Sequence, residues 1–216
     1  ADIGFAFDGD GDRLIVVDNK GKEIDGDKIL ALFTKNLLNK KKLTKKTVVA
    51  TSMSNLGFEN YLTKKLGVKL VRTKVGDINV INEMKKKSYA LGGEQSGHII
   101  LGEYTKTGDA ILVALKILEI IKNSNLTTYT LFNNYNSFYQ EKINVLIKEQ
   151  LNNKVKNLIK NISNKIQRKN PHLRYLIRES GTEPLIRILV EGKNKIEISN
   201  ESKILSGQIK KIVNDW

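Results

Sequence analysis

Residues 7–13 read Phe-Asp-Gly-Asp-Gly-Asp-Arg, FDGDGDR, and an apolar run, Ile3–Phe7, leads straight into them. Such a run reads as a buried strand of a parallel sheet. Asp8, Asp10 and Asp12 then stand at alternate positions with only Gly9 and Gly11 between them. Three carboxylates so close repel one another, and the loop costs folding energy unless a cation sits among them. Glycine lets the backbone curl, so that side chains which would alternate across a strand converge on one point. Hard oxygens converging at the carboxyl end of a strand suit Mg2+, which takes few protein ligands and shares its coordination sphere with phosphate. A calcium loop of the EF-hand type starting at Asp8 fails on spacing. Its sixth and twelfth positions would hold Arg13 and Asn19, where Gly and Glu are required. A plain acidic turn is the other reading; the strand leading in and the arginine leading out argue against it.

Outward from this loop, 216 residues can hold one large or two ordinary domains. Hydrophobic content of 40% and charged content of 28% describe a globular protein with an ample core. No apolar run approaches the length of a membrane span. Zero cysteines exclude disulfides and thiolate metal sites, and with no export signal read in the sequence the cytoplasm is the expected compartment. The net charge of +14 raises the question of nucleic acid. The excess is nearly all scattered lysine, and its thickest run, Lys40–Lys42 with Lys45 and Lys46, ends a helix and is expected in solvent. Few aromatics interleave with it, so no stacking platform emerges and no nucleic-acid partner is expected. Arginine is more informative. Of six, Arg13, Arg72, Arg178 and Arg187 lie in or beside candidate site motifs, which suggests a need for fork geometry.

A second strand, Leu14–Asp18, follows the acidic loop, and Asn19-Lys20-Gly21 supplies a turn. From about Asp25 strands and helices alternate. Asp27–Leu38 carries apolar residues at helical spacing behind an aspartate cap. Thr47–Thr51 is a β-branched strand, Leu56–Leu66 a helix closed by Gly67, Val68–Arg72 a strand and Ile78–Lys87 a helix. Tyr89–Leu91 and His98–Leu101 flank a glycine-rich loop, and Asp109–Lys122 is a strongly apolar helix. That set predicts an open mixed-sheet α/β domain. Asn123–Asn136 is polar and the best boundary candidate. Beyond it come a strand (Glu141–Ile147), a helix (Leu151–Ile166), two strands (Leu173–Arg178 and Leu185–Glu191) and a helix (about Ser202–Val213), the order of a small α+β domain.

Three further loops carry candidate chemistry. Gly92–His98, GGEQSGH, crowds Glu94, Gln95, Ser96 and His98 onto a flexible backbone. A carboxylate beside a hydroxyl suits the paired hydroxyls of a sugar ring, the bland alternative being a tight turn with incidental polarity. Arg178–Arg187, RESGTEPLIR, sets Ser180, Gly181 and Thr182 at a bend with arginine at each end. Backbone N–H groups and a guanidinium fork there would grip an anion; a structural turn with exposed arginines is the alternative. In Arg72–Asp77, RTKVGD, Lys74 and Asp77 either do acid–base work or, through Asp77, cap the next helix.

FDGDGDR, RTKVGD, GGEQSGH and RESGTEPLIR, in this order, resemble the α-D-phosphohexomutases, and the likeness covers the whole chain. Members have four domains around a cleft. The resemblance implies that residues 1–22 end the second domain, 23–135 form the third and 136–216 the fourth. In the family a phosphoserine passes its phosphoryl group to a hexose phosphate, and the bisphosphate turns over before the other phosphate returns to the serine. By motif, Asp8, Asp10 and Asp12 would hold Mg2+ beside that phosphoserine, with Arg13 reaching towards phosphate. Lys74, Asp77 and His98 would lie near the reacting oxygen, and Glu94 and Ser96 would bind sugar hydroxyls. Arg178, Ser180, Gly181, Thr182 and Arg187 would grip the phosphate that is not reacting. The family's serine loop, Thr-x-Ser-His-Asn-Pro, has no match here; Thr51–Asn55 has serines but no following His-Asn-Pro. The chain thus resembles the carboxy-terminal half of such an enzyme, expected to need the amino-terminal half for phosphotransfer. Gln95 and Asp77 resemble the members acting on glucosamine phosphate. Mannose or glucose phosphate is the runner-up, and a non-catalytic phosphosugar-binding module the alternative of another class.

Overall fold

In the computed structural model of the chain, which describes residues 1–147, 151–181 and 183–214, six residues separate the strands β1 (Ile3–Phe7) and β2 (Leu14–Asp18). That is too short for the crossover a parallel pair needs. The two pair antiparallel, Phe7 opposite Leu14 and Ile3 opposite Asp18, which corrects the parallel arrangement expected from the apolar run. A short β3 (Glu23–Ile24) completes a sheet in the order β1-β2-β3. β1 is its edge, with Phe7 48% exposed.

The helix α1 (Gly26–Asn39) follows, its N-cap Asp25 accepting the Lys28 N–H at 3.0 Å. Strand β4 (Thr47–Thr51) is buried at all five positions because its sheet is covered on both faces. Val48 and Ala50 pack with Ile29, Leu30, Val113 and Ile117 on one side; Val49 packs with Val80, Ile81 and Met84 on the other. Helix α2 (Leu56–Asn60) continues as a π-helical turn over Tyr61–Lys65, and Gly67 ends it at a φ of +62°. β4 runs parallel to β5 (Lys69–Thr73) and to β6 (Leu91–Gly93), and β7 (Ile99–Leu101) returns antiparallel to β6. Helices α3 (Asp77–Lys87) and α4 (Ala110–Lys122) complete the layers. This is the open mixed α/β sheet the alternation predicts, in the order β5-β4-β6-β7. Its register puts Thr51 beside Thr73 and Ala50 beside Gly93. The loops leaving the carboxyl ends of β4, β5 and β6 are therefore neighbours, at the edge where open α/β sheets place ligands.

The polar stretch after α4 is packed rather than solvated. Thr127 caps a short helix, α5 (Thr128–Phe132), which buries Phe132. The Thr128 hydroxyl donates to the Asp2 carbonyl at 2.6 Å. The chain divides into two compact units after this helix, at residues 137 and 138. The first 22 residues lie within the first unit.

In the second unit β8 (Tyr139–Leu146), β9 (Arg174–Glu179) and β10 (Leu185–Gly192) form an antiparallel sheet in the order β8-β10-β9. Helices α6 (Asn153–Lys169) and α7 (Lys195–Asn214) cover one face. Val155, Ile159, Ile198, Leu205 and Ile209 meet Val145, Tyr175, Ile186 and Ile188 there. α7 begins well before the Ser202 expected, because the Asn194 side chain accepts the N–H groups of Ile196 and Glu197 and starts the helix. Among the described residues no helix is long and apolar enough to cross a membrane.

Candidate functional site

The acidic loop is organised by its own backbone and by a histidine far along the chain. Asp8 Oδ1 accepts the N–H groups of Asp12 and Arg13, each at 3.2 Å. Its carboxyl lies below the usual range because these N–H groups, Asp12 and the Arg13 guanidinium outweigh its desolvation. Asp12 Oδ2 lies 3.0 Å from His98 Nδ1, and Asp10 is exposed. Among the described residues no three His, Cys, Asp or Glu side chains gather closely enough to hold a metal ion. The convergence of all three expected from the glycine spacing is not the arrangement found: Asp8 faces Arg13, Asp12 faces His98, and Asp10 is exposed. The donor set still suits a hard divalent cation, since Asp12 Oδ1 is buried without a hydrogen-bond partner.

The glycine-rich loop packs directly on the acidic one. The Leu14 N–H donates to the Gly97 carbonyl at 3.1 Å, and Arg13 and His98 form a β-bridge. Gly97 has a φ of +94°, and a β-carbon there would lie 2.2 Å from the Leu14 carbonyl oxygen, so only glycine fits. Glu94 is 9% exposed and accepts the Gly76 N–H at 3.1 Å, which ties this loop to the one after β5. Ser96, Lys74 and Asp77 are exposed. Asp77 is the first residue of α3 and not its cap; Gly76 holds the cap position with no side chain to offer. His98 is 1% exposed, so its ring is presented to Asp12 rather than to solvent.

Arg72 has a different task from the one its motif suggests. Its guanidinium grips Glu59 at 2.8 Å and the Ser54 carbonyl at 2.8 Å, bracing the loop after β4. Sequence reasoning missed a second brace of that loop. Asp27 is fully buried in the first turn of α1 and accepts the Asn55 N–H at 2.7 Å. Burial, with Asp25 beside it, pushes its carboxyl up to about 7 against the pull of the Asn55 N–H, Ser54 and Arg72. Lys28 is pushed down to about 8, chiefly by burial, and its ammonium lies 3.6 Å from the centre of the Tyr135 ring. The Asp25-Gly26-Asp27 string was the available signal; it reads as ordinary helix capping until burial is known. The lysine run is exposed, as expected, and two of its members also make surface ion pairs, Lys42 to Glu103 at 2.6 Å and Lys40 to Glu119 at 3.3 Å.

In the second unit Arg178 on β9 stands opposite Arg187 on β10. The alternation that turns Ile177, Ile186 and Ile188 into the core turns both guanidiniums to the other face. Burial, then the Arg187 charge, lower the Arg178 pKa. Like charges directly opposite are destabilising across strands, so the pair is a standing demand for an anion. Arg187 also bonds Glu183, while its Nε is buried without a partner. The bend supplies fewer N–H groups than expected, because that of Ser180 already donates to the Leu185 carbonyl at 2.9 Å. Gly181 is exposed, and Thr182 lies outside the described residues.

Fold and site together define a class. Residues 25–138 match the family described as phosphoglucomutase/phosphomannomutase, alpha/beta/alpha domain III, and residues 143–202 match that family's C-terminal domain. The chain belongs to the phosphoglucomutase/phosphomannomutase family. Within it, the chain is 49% identical over 197 residues to a phosphoglucosamine mutase of Thermodesulfovibrio yellowstonii, covering 90% of this chain and 44% of that protein. It is 44% identical over 220 residues to that of Caldanaerobacter subterraneus, covering 99% and 48%. The fold is also that of the Aspergillus fumigatus N-acetylphosphoglucosamine mutase solved in complex with GlcNAc-6P and magnesium. The TM-score is 0.79 at 18% identity, over 97% of this chain and 48% of that one. The chain spans about half the length of the curated relatives it matches.

Proposed function

We propose that this chain is the metal-binding, sugar-binding and phosphate-binding half of a phosphoglucosamine mutase, which interconverts glucosamine 6-phosphate and glucosamine 1-phosphate. The reaction would run through a phosphoserine and a bisphosphate, in the cytoplasm, to supply amino-sugar precursors of the cell wall. What supports this reading is one observation: the motifs at 8–13, 74–77 and 94–98, far apart in sequence, are bonded to one another through Asp12–His98, Leu14–Gly97 and Gly76–Glu94.

In this scheme Asp8, Asp10 and Asp12 would hold Mg2+, which would supply positive charge to offset that of the phosphoryl group. Arg13, exposed at the loop's end, adds a bidentate donor for phosphate oxygens. Ser96 and Glu94 orient the sugar hydroxyls. Lys74 and Asp77, both exposed beside the Glu94-anchored Gly76, exchange a proton with the reacting oxygen. His98 fixes Asp12. Arg178 and Arg187, with Ser180, Gly181 and Thr182, grip the phosphate that is not reacting. The serine is supplied by the family's amino-terminal half.

The test is an assay of glucosamine 6-phosphate conversion with the chain mixed with a polypeptide carrying the family's serine loop. Turnover is expected from the mixture and from neither part alone. Turnover by the chain alone, or equal turnover of mannose 6-phosphate, would overturn the reading.

A further inference from the structure

The segment between β7 and α4 belongs to none of the loops above, yet it touches the acidic loop once and the histidine that holds Asp12 once. A β-carbon on Gly108 would lie 2.5, 2.7 and 2.8 Å from Cε1, Nε2 and Nδ1 of His98, inside the space of the ring. Two residues on, the Ala110 N–H donates to the Gly11 carbonyl at 3.0 Å. The His98 ring cannot swing aside, because it is 1% exposed. A carboxylate only accepts, so His98 Nδ1 carries the proton it shares with Asp12 Oδ2. That bond fixes Asp12 and leaves its buried Oδ1 without a protein partner.

We infer that Gly108–Ala110 is a positioning element for the carboxylate loop, with Gly108 required because the His98 imidazole stands where a side chain would begin. Gly108 sets the ring, the ring sets the Asp12 carboxylate, and Ala110 sets the backbone of Gly11. As it concerns metal binding, the inference rests on the proposed role of Asp8, Asp10 and Asp12; as it concerns the imidazole, it does not.

The experiment uses the whole chain, Mn2+ as the probe and two readouts. Mn2+ affinity is followed by electron paramagnetic resonance, and the imidazole nitrogens by NMR. Only His98 and His172 contribute imidazole signals, and His172, 2.7 Å from Glu197 in the second unit, serves as the internal reference. Gly108→Ala is expected to weaken Mn2+ binding about tenfold or more, as outer-shell changes do, and to move the His98 signals but not those of His172. In a His98→Ala background the same change is expected to have no further effect on Mn2+. An equal further loss in that background, or unmoved His98 signals, overturns the inference. If the parent chain binds no Mn2+, the metal reading fails, and the His98 signals alone decide the positioning role. If Gly108→Ala does not fold, adding His98→Ala is expected to restore folding, and failure to do so refutes the steric argument.

Discussion

The two units build their charged sites in opposite ways. In the first, charges are answered from distant loops: Asp12 by His98, Glu94 by Gly76, and Arg72 by Glu59 and the Ser54 carbonyl. In the second, the register of neighbouring strands sets Arg178 against Arg187, and the pairing is local in sequence. The first site is consequently a property of the fold of its unit, and a change in one loop travels to the others. The second is a property of one hairpin, where a change is expected to alter the proposed phosphate grip and little else. Substitutions that compare stability with binding separate the two.

The largest effect is expected at Gly97. Its φ of +94° and the 2.2 Å approach to the Leu14 carbonyl leave alanine no place, and Leu14 is fully buried. Gly97→Ala should destabilise the first unit by more than about 3 kcal/mol and leave the second unchanged. Urea denaturation read by hydrogen exchange resolves the units. A loss under about 1 kcal/mol would mean that the loops part easily and that the first site is as local as the second.

Asp27 sharpens the contrast through pH. Its carboxyl stands near 7 in the folded chain against an ordinary value of 3.8, so the folded state holds the proton more tightly. Stability is therefore fully present below about pH 4 and is lost as pH rises to about 7, where the loss levels off. The full swing is about 4 kcal/mol, with Asp25 adding to it and the Asn55 N–H, Ser54 and Arg72 opposing. Asp27→Asn still accepts the Asn55 N–H and should flatten stability over that range. An unchanged slope in equilibrium denaturation at several pH values would assign the effect to other carboxylates.

Much of this was legible in the sequence, and the failures have physical causes. The alternation of β-branched runs with helical spacing marked β4, β5, α1 and α3 within a residue or two. The four motifs stand out in the sequence because alternate aspartates, clustered glycines and a serine-glycine bend are short-range patterns; the chemistry proposed for them is not visible at that level. What sequence could not supply was partnership. Arg72 sits in a site motif but serves Glu59; Asp27 reads as a capping residue until its burial is seen. Gly108 has no motif, because its requirement is the His98 ring, ten residues back and across a strand. Asn194 hid the start of α7, since asparagine reads as a loop until its side chain is seen to cap.

Arg178→Lys tests the hairpin side of the comparison. Lysine keeps the charge and loses the fork, so a bidentate grip predicts a loss of roughly 1–3 kcal/mol in phosphate or glucosamine 6-phosphate affinity. Stability should stay within about 0.5 kcal/mol, because the side chain lies on the face away from the core of the second unit. Titration calorimetry beside thermal melting gives both numbers. Equal affinity in the lysine variant would reduce the site to a diffuse positive field.

The smallest effect is expected at Gly181, the counterpart of Gly97 in the other unit. A β-carbon there meets nothing within 4 Å, and Gly181 is exposed on the bend. Its backbone lies outside the left-handed region that only glycine visits easily, so alanine brings neither strain nor collision. Gly181→Ala should change stability by less than about 0.5 kcal/mol, the range of an ordinary surface substitution. Alanine also keeps the backbone N–H, so phosphate affinity should hold to within about twofold, the equivalent of the same energy. The same chemical change thus costs one unit several times more than the other, and the difference measures how far each site depends on distant packing. A stability loss above about 1 kcal/mol at Gly181 would show that the bend is held by more than its own hairpin, and the local character assigned to the second site would be wrong.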